Sequence, residues 1–373
     1  MDLSKRNTAL DLARITALLT VIGVHFFLNN GYYAVELTGA PILAITVVRC
    51  MCMTCVPLFL FLTGYLMNGK KLSAGYYKGL DKTLGVYVLA SVVCYLMKRF
   101  YLHIPELSLF SITDYTMCDY AWYVEMYIGL FLLIPFLNLA YHGLTSKKQK
   151  QVLVLTAFAV FLLPAVTNVY NFKTEGFWAH PGAVDVYQKL LPAFWTGAYP
   201  LAYYFAGAYL KEYPVKLKKS VNILLIAVSL LVYWAYSVWH SDGGVYFKSG
   251  TWQNWNSPLL FVYSLFVFIF FINLDCSRYK NGVRSFLAGV SDVTFGGYLM
   301  SCIFDKIIYR SLANTFDNFY AKFSLYIPCV LLIFVLSLLS SYVLSFVFGL
   351  LKEGAAAVLS PLISKLSERK KSI

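Results

Sequence analysis

Residues 9–28 read ALDLARITALLTVIGVHFFL, an apolar run interrupted by Asp11, Arg14 and His25. About twenty such residues, rising about 1.5 Å each, cross the hydrocarbon core of a bilayer as a helix. An ionisable group within such a run is costly unless it faces a bundle interior, so these three side chains deserve a functional reading. Similar windows follow at residues 41–67, 80–98, 119–141, 151–169, 190–210, 220–239, 257–274, 285–310 and 324–351. The second and ninth are long enough to tilt or break. Uninterrupted apolar runs of this length are helices and not the alternating strands of a barrel. The expected fold is an all-α polytopic membrane protein of about ten transmembrane helices in one bundle, a single domain over residues 1–373 with no appended soluble domain.

Composition points the same way. Of 373 residues, 59% are hydrophobic and 18% aromatic, only 13% are charged, and the mean hydropathy is +0.64. Soluble domains carry about a quarter charged residues. So much apolar surface excludes a water-soluble enzyme, a secreted module and a disordered chain. The net charge of +13 would suit nucleic acid, but the basic residues form short runs between apolar blocks, without a basic stripe interleaved with aromatics. Counted loop by loop, 21 Lys and Arg fall on the side of the N-terminus and 8 on the other. The positive-inside bias then puts both termini in the cytoplasm, with the plasma membrane the expected location. The first segment lacks a small-residue cleavage site and is read as a retained span.

Cys50, Cys52 and Cys55 form C-x-C-x-x-C, but at about 100° per residue they spread around a helix and have no nearby histidine. No metal is expected. Of the eight cysteines only Cys118 lies on an outer loop, so disulfides are not expected either. The long outer loops are rich in Tyr, Trp and Asn, a composition that suits sugar stacking and an interfacial aromatic belt alike.

Arg14 and His25 are eleven residues apart, three turns plus about 20°, so they share one helix face about 16 Å apart along the axis. Asp11, one turn before Arg14, is placed to pair with it. Each residue taken alone fits a bland role: Arg14 snorkelling to the inner surface, His25 capping the outer end of a span. Together they suit a long anionic cytosolic donor such as acyl-CoA, phosphates on the guanidinium and thioester delivered to the imidazole as general base. Arg49, a third of the way into the second span, has two candidate roles toward substrate, holding an anionic acceptor group (a lipid-linked phosphate or a uronate) or stabilising an oxyanion. Its structural alternative is a pair with Glu125, within Trp122-Tyr123-Val124-Glu125; that acid is equally a candidate to orient His25.

These residues resemble the acyltransferase 3 family of bacterial integral-membrane O-acyltransferases. The resemblance rests on the Arg14–His25 spacing, then on Arg49 with Val56-Pro57-Leu58-Phe59 and Gly64-Tyr65-Leu66. It continues through Trp122-Tyr123 to Pro135, Tyr199-Pro200, Tyr203-Tyr204, Gly207, and Ser291 with Thr294-Phe295-Gly296-Gly297-Tyr298-Leu299. It implies a ten-helix bundle moving an acyl group, commonly acetyl, from cytoplasmic acyl-CoA to a carbohydrate at the outer face, with the histidine catalytic and the arginine serving the donor. Where the family carries R-x-x-R after the second span, this chain has Lys78-Gly79-Leu80-Asp81-Lys82, so Lys78 and Lys82 are the donor-binding candidates there, as point charges. Where the family often has histidine in the ninth span, this chain has Ser301, which is therefore expected to stand outside the site.

The expected activity is O-acetyl transfer from acetyl-CoA to a hydroxyl of a cell-envelope or exported polysaccharide or its lipid-linked precursor. His25 and Glu125 are the catalytic candidates, and His25 could also serve as a transient acyl carrier. Arg14, Lys78 and Lys82 are the donor-binding candidates, Arg49, Trp122 and Tyr123 support the acceptor or oxyanion, and Asp11 is a structural partner. The expected partners are membrane lipid and a carbohydrate or lipid-linked glycan acceptor. The rival reading, a glycan or small-solute transporter or flippase without chemistry, would use Arg14, Arg49 and Glu125 to line a path. Against it stand the absence of an internal duplication and the scarcity of paired acids for ion coupling.

Overall fold

The computed structural model describes residues 6–103 and 120–371, with side chains of 355, 356 and 358–371 outside the description. Cys118 and the first residue of the window at 119–141 lie outside the described residues. Those that are described form helices and short turns, with no strand longer than an isolated bridge. Eight helical stretches are long and apolar enough to cross a membrane, and a ninth is reached if one bent pair counts as a span.

Helix α1 (Thr8–Asn29) starts where the Asn7 side chain accepts the Ala9 N–H at 3.0 Å, a local N-cap. Ala13, Ala17, Leu18 and Ile22 have no exposed surface, because α1 runs through the middle of the bundle. The expected second span is two helices, α2 (Ala40–Cys52) and α3 (Cys55–Met67). The interruption has a covalent cause. Pro57 has no N–H to give the Met53 carbonyl, and its ring crowds that carbonyl, so the chain breaks at Met53–Thr54.

Beyond these lie α4 (Leu80–Leu96), α5 (Trp122–Gly143) and α6 (Lys147–Phe161), the last opened by a Ser146–Gln149 capping box. They are followed by α7 (Tyr199–Glu212), α8 (Lys219–Trp239) and α9 (Pro258–Ile272). The ninth window gives α10 (Asn281–Asp292) and α11 (Thr294–Phe304), and α12 (Tyr326–Lys371) is the last helix. Helix α1 packs against α2, α3, α9, α10, α11 and α12.

The window at 190–210 does not form a full span. Its helix is α7 alone, 14 residues and so about 21 Å long. Pro192, Gly197 and Pro200 deny residues 190–198 helical hydrogen bonds, and only the 3₁₀ turn Thr196–Ala198 forms there. A helix this short survives because protein covers it: Ala202, Tyr203, Tyr204 and Ala208 are buried. The ninth window is bent by 61° between α10 and the helical stretch Thr294–Thr315. The Val293 carbonyl at the bend accepts both the Gly297 N–H at 2.9 Å and the Ser341 hydroxyl at 2.7 Å.

Helices α3 and α7 meet backbone to backbone. A Cβ on Gly64 would lie 2.0 Å from the Tyr204 carbonyl oxygen, and one on Gly207 would lie 2.3 Å from that of Phe61. Gly129, on α5, has nothing within 4 Å of its own added Cβ. Gly207→Ala is therefore expected to cost about 1–3 kcal/mol, since a backbone clash cannot be relieved by a rotamer change. Gly129→Ala should be neutral or slightly stabilising, because alanine is the better helix former. Thermal unfolding of the purified variants in detergent checks the contrast; equal melting temperatures would refute the close crossing.

Candidate active site

Asp11 organises one end of α1. Arg6 grips it with two bonds of 2.9 Å, Nε to Oδ2 and Nη2 to Oδ1, and reaches Asp292 and the Ala288 carbonyl as well. Arg14 touches the same carboxylate more loosely, Nη1 to Oδ1 at 3.3 Å, and Nη1 also donates to Ser291 Oγ at 3.2 Å. The expected Asp11–Arg14 pair exists, but Arg6 is the stronger partner. Sequence spacing favoured the i,i+3 neighbour, whereas the chain before α1 folds back to give Arg6 a two-bond approach. Among the described residues only Nη1 of Arg14 is engaged, leaving the rest of its guanidinium for a ligand. Arg14 lines two cavities: a small one shared with Arg6, Lys211 and Asp292, and a larger one of about 960 Å³.

That larger cavity carries His25 in the same wall. The shared face deduced from an eleven-residue spacing thus exists as one continuous space, and Lys70, Lys82, Arg49, Trp122 and Tyr123 also border it. Lys78 is exposed and does not line it. It caps the end of the short helix Ala74–Tyr77, two residues before α4, and Lys70 borders the cavity in its stead.

His25 Nδ1 lies 2.8 Å from Asp305 Oδ2, with side-chain exposures of 17% and 2%. An ionised carboxylate only accepts, so Nδ1 carries the proton and Nε2 keeps its lone pair. Asp305 opens a single π-helical turn, Asp305–Tyr309, whose Tyr309 hydroxyl donates to the Ile22 carbonyl at 3.0 Å. Such turns insert an extra residue and re-aim side chains, often at functional sites. The Tyr120 hydroxyl donates to the same Oδ2 at 2.9 Å, lies 2.5 Å from Ser301 Oγ, and its ring meets the imidazole edge-on at 4.9 Å. Ser301, expected outside the site, therefore belongs to its hydrogen-bond network.

Glu125 is the main correction. It is exposed and, among the described residues, makes no hydrogen bond or ion pair. Neither His25 nor Arg49 is its partner, since it sits in the first turn of α5 on a different face from its neighbour Val124, which is buried. Arg49 is buried at 2% exposure, donating from Nε to the Tyr33 hydroxyl at 3.0 Å and from Nη2 to Gln253 Oε1. The Phe247 ring lies 4.6 Å from its guanidinium carbon. Trp122 packs against Trp255 with centroids 4.4 Å apart and the ring planes tilted by 30°.

Gln253 and Trp252 belong to a single 3₁₀ turn, Thr251–Gln253, held by aromatic packing at this end of the bundle. The His240 ring stacks on Trp252 at 4.2 Å, and neither of its nitrogens has a hydrogen-bond partner among the described residues. Asp305, Tyr120, Gln253 and Tyr33 were all missed by sequence reasoning. The one available signal was an acid, Asp305, at the outer end of the ninth window.

An apolar helical bundle that encloses a cavity with a basic mouth and a carboxylate–imidazole pair has the architecture of a multi-pass membrane protein. Residues 7–346 match the model of the acyltransferase domain of the acyltransferase 3 family, and the chain belongs to that family. Comparison with curated proteins and with solved structures gives no match.

Burial, and then the charge of Lys248, pull the His240 imidazole down to about 4. An unfolded histidine titrates near about 6.5. The stabilisation from a neutral His240 is therefore complete above that value and drains away as pH falls through the interval toward 4. Between pH 7 and about 4.5, the wild type is expected to lose several degrees more of melting temperature than His240→Phe. Tryptophan fluorescence during thermal unfolding reads the difference, and identical pH responses would count against it.

Proposed function

We propose that this membrane acyltransferase moves an acyl group, acetyl being the expected one, from cytoplasmic acyl-CoA to a hydroxyl of a cell-envelope or exported polysaccharide or its lipid-linked precursor at the outer face of the plasma membrane. The observation that carries this reading is the single cavity bordered by Arg14 at its basic end and His25 deeper in. Donor phosphates would sit on Arg14 with Lys70, Lys82 and Lys211, and the thin pantetheine arm would carry the thioester along the cavity toward the imidazole.

In this reading His25 Nε2 accepts the proton of the acceptor hydroxyl as its oxygen attacks the thioester carbonyl. A tetrahedral intermediate forms, the C–S bond breaks, and the imidazolium returns its proton to the departing sulfur, giving ester and free CoA. Asp305 is a positioning residue: it holds the imidazole by Nδ1 and stabilises the imidazolium that forms. No metal ion enters this chemistry, because a thioester is already activated.

Purified protein in nanodiscs, given labelled acetyl-CoA and an acceptor glycan, tests the reading. Acceptor-dependent CoA release should fall by about 10²–10⁴-fold in His25→Ala. Asp305→Asn should lower kcat by a comparable factor and displace the pH profile, whereas a purely structural role would lower stability and leave the profile in place. Arg14→Ala should raise KM for the donor by about tenfold or more, with the smaller effect on the acceptor. Glycan transport that survives His25→Ala without CoA release would favour a carrier and refute the enzyme.

A further inference from the structure

Most ion-paired cations here have a carboxylate close by: Arg6 and Arg14 share Asp11, Lys150 holds Glu212 at 2.7 Å, and Lys248 holds Asp185 at 2.9 Å. Arg49 differs. Among the described residues it makes no ion pair, its hydrogen bonds go to the neutral Tyr33 hydroxyl and the neutral Gln253 amide, the Tyr233 hydroxyl and Cys50 thiol beside it are neutral too, and Nη1 has no hydrogen-bond partner. A guanidinium has five N–H donors and keeps its charge in any protein environment. Burying that charge without an anion is unfavourable, and the faces of Phe247 and Tyr33 offset only part of the cost.

The position of this uncompensated charge gives it meaning. Arg49 and Gln253 border the same cavity as His25, beside the closely packed Trp122–Trp255 pair, at the end opposite the basic mouth. Flat aromatic faces suit the C–H faces of a sugar ring, and a guanidinium suits a carboxylate or phosphate bidentately. Resting on the acyl-transfer reading, we propose that the acceptor is an acidic saccharide, one whose carboxylate or phosphate completes the Arg49 site and takes the place now held by the Gln253 amide oxygen. The site thereby sets which hydroxyl reaches His25, because an anion fixed on Arg49 fixes the sugar ring that carries it.

The test compares three acceptors with the full-length protein in nanodiscs and labelled acetyl-CoA: a hexuronate oligosaccharide, its carboxyl-reduced counterpart, and a polyprenyl-pyrophosphate-linked neutral sugar. The wild type should prefer the uronate over its reduced form by about tenfold or more in kcat/KM, the scale of a charged hydrogen-bonded contact. Gln253→Glu supplies an internal carboxylate of nearly the same shape, and should bring that ratio to within about twofold of one, as should Arg49→Gln. Activity confined to the pyrophosphate-linked sugar, lost in the same two variants, assigns the anion to the lipid-linked carrier and supports the proposal. Equal rates on charged and neutral acceptors in the wild type overturn it. So does an equal loss on every acceptor in both variants, which would assign Arg49 to the oxyanion. If no acceptor is acetylated and no CoA is released, the enzymatic reading fails separately. Tryptophan quenching by the uronate against its reduced form then decides the anion site: preferential quenching lost in Gln253→Glu upholds it, and equal quenching overturns it.

Discussion

Charge buried in an apolar bundle must find partners, and on α1 this requirement fixes how distant parts of the chain meet. Asp11, 1% exposed, is satisfied by Arg6 and Arg14 together, and Arg6 in turn reaches Asp292 and Ala288 on α10. At the other end His25 takes Asp305, 280 residues away in sequence. An isolated buried charge costs several kcal/mol, so each end of α1 pins the bent α10–α11 pair at a defined height and rotation. The cavity between them is the space those two anchorages leave.

Broken helices supply the precision that the anchorages require. Arg49 sits in the last turn of α2, immediately before the interruption imposed by Pro57, and so meets the segments from which Tyr33 and Gln253 come. The bend at Val293 places Ser291 against Arg14 while the following helix runs on to Ser301 and Asp305. The extra residue in the π-helical turn then aims Asp305 at His25. Non-helical backbone at membrane depth is tolerated only where protein or a cavity re-satisfies it, and at this bend the Val293 carbonyl accepts both the Gly297 N–H and the Ser341 hydroxyl.

The membrane class, eight of the ten apolar windows with a ninth as one bent pair, and the cavity-facing alignment of Arg14 with His25 were legible because they depend on local periodicity and bilayer thickness. The shortening of the sixth window was written in Pro192, Gly197 and Pro200, but apolarity outweighed them in a window average. The partners were not legible. Asp305 and Glu125 are both acids near the ends of helices, and sequence holds nothing that says which one faces the imidazole. Only packing does: Asp305 is buried and Glu125 is exposed. Lys78 failed for a related reason, since spacing within a loop does not fix the direction in which a long side chain leaves it.

In the proposed reaction, the proton inventory around Asp305 bears on how the pair would work. Tyr120 and Ser301 own one hydroxyl hydrogen each, yet three contacts compete for them: Tyr120 with Asp305, Tyr120 with Ser301, and Ser301 with the Tyr298 carbonyl at 2.7 Å. With Tyr120 donating to Asp305, Ser301 can donate to Tyr120 or to the carbonyl, and sharing its hydrogen ties the two into one chain running toward the carboxylate. Both that chain and His25 end on Oδ2, while Oδ1 is buried without a hydrogen-bond partner among the described residues. A carboxylate solvated on one oxygen only is held less firmly as a lone anion than as one half of an ion pair. It therefore gains most when the imidazole beside it becomes charged, and an environment that favours charge only as it develops lowers a barrier instead of deepening a resting state.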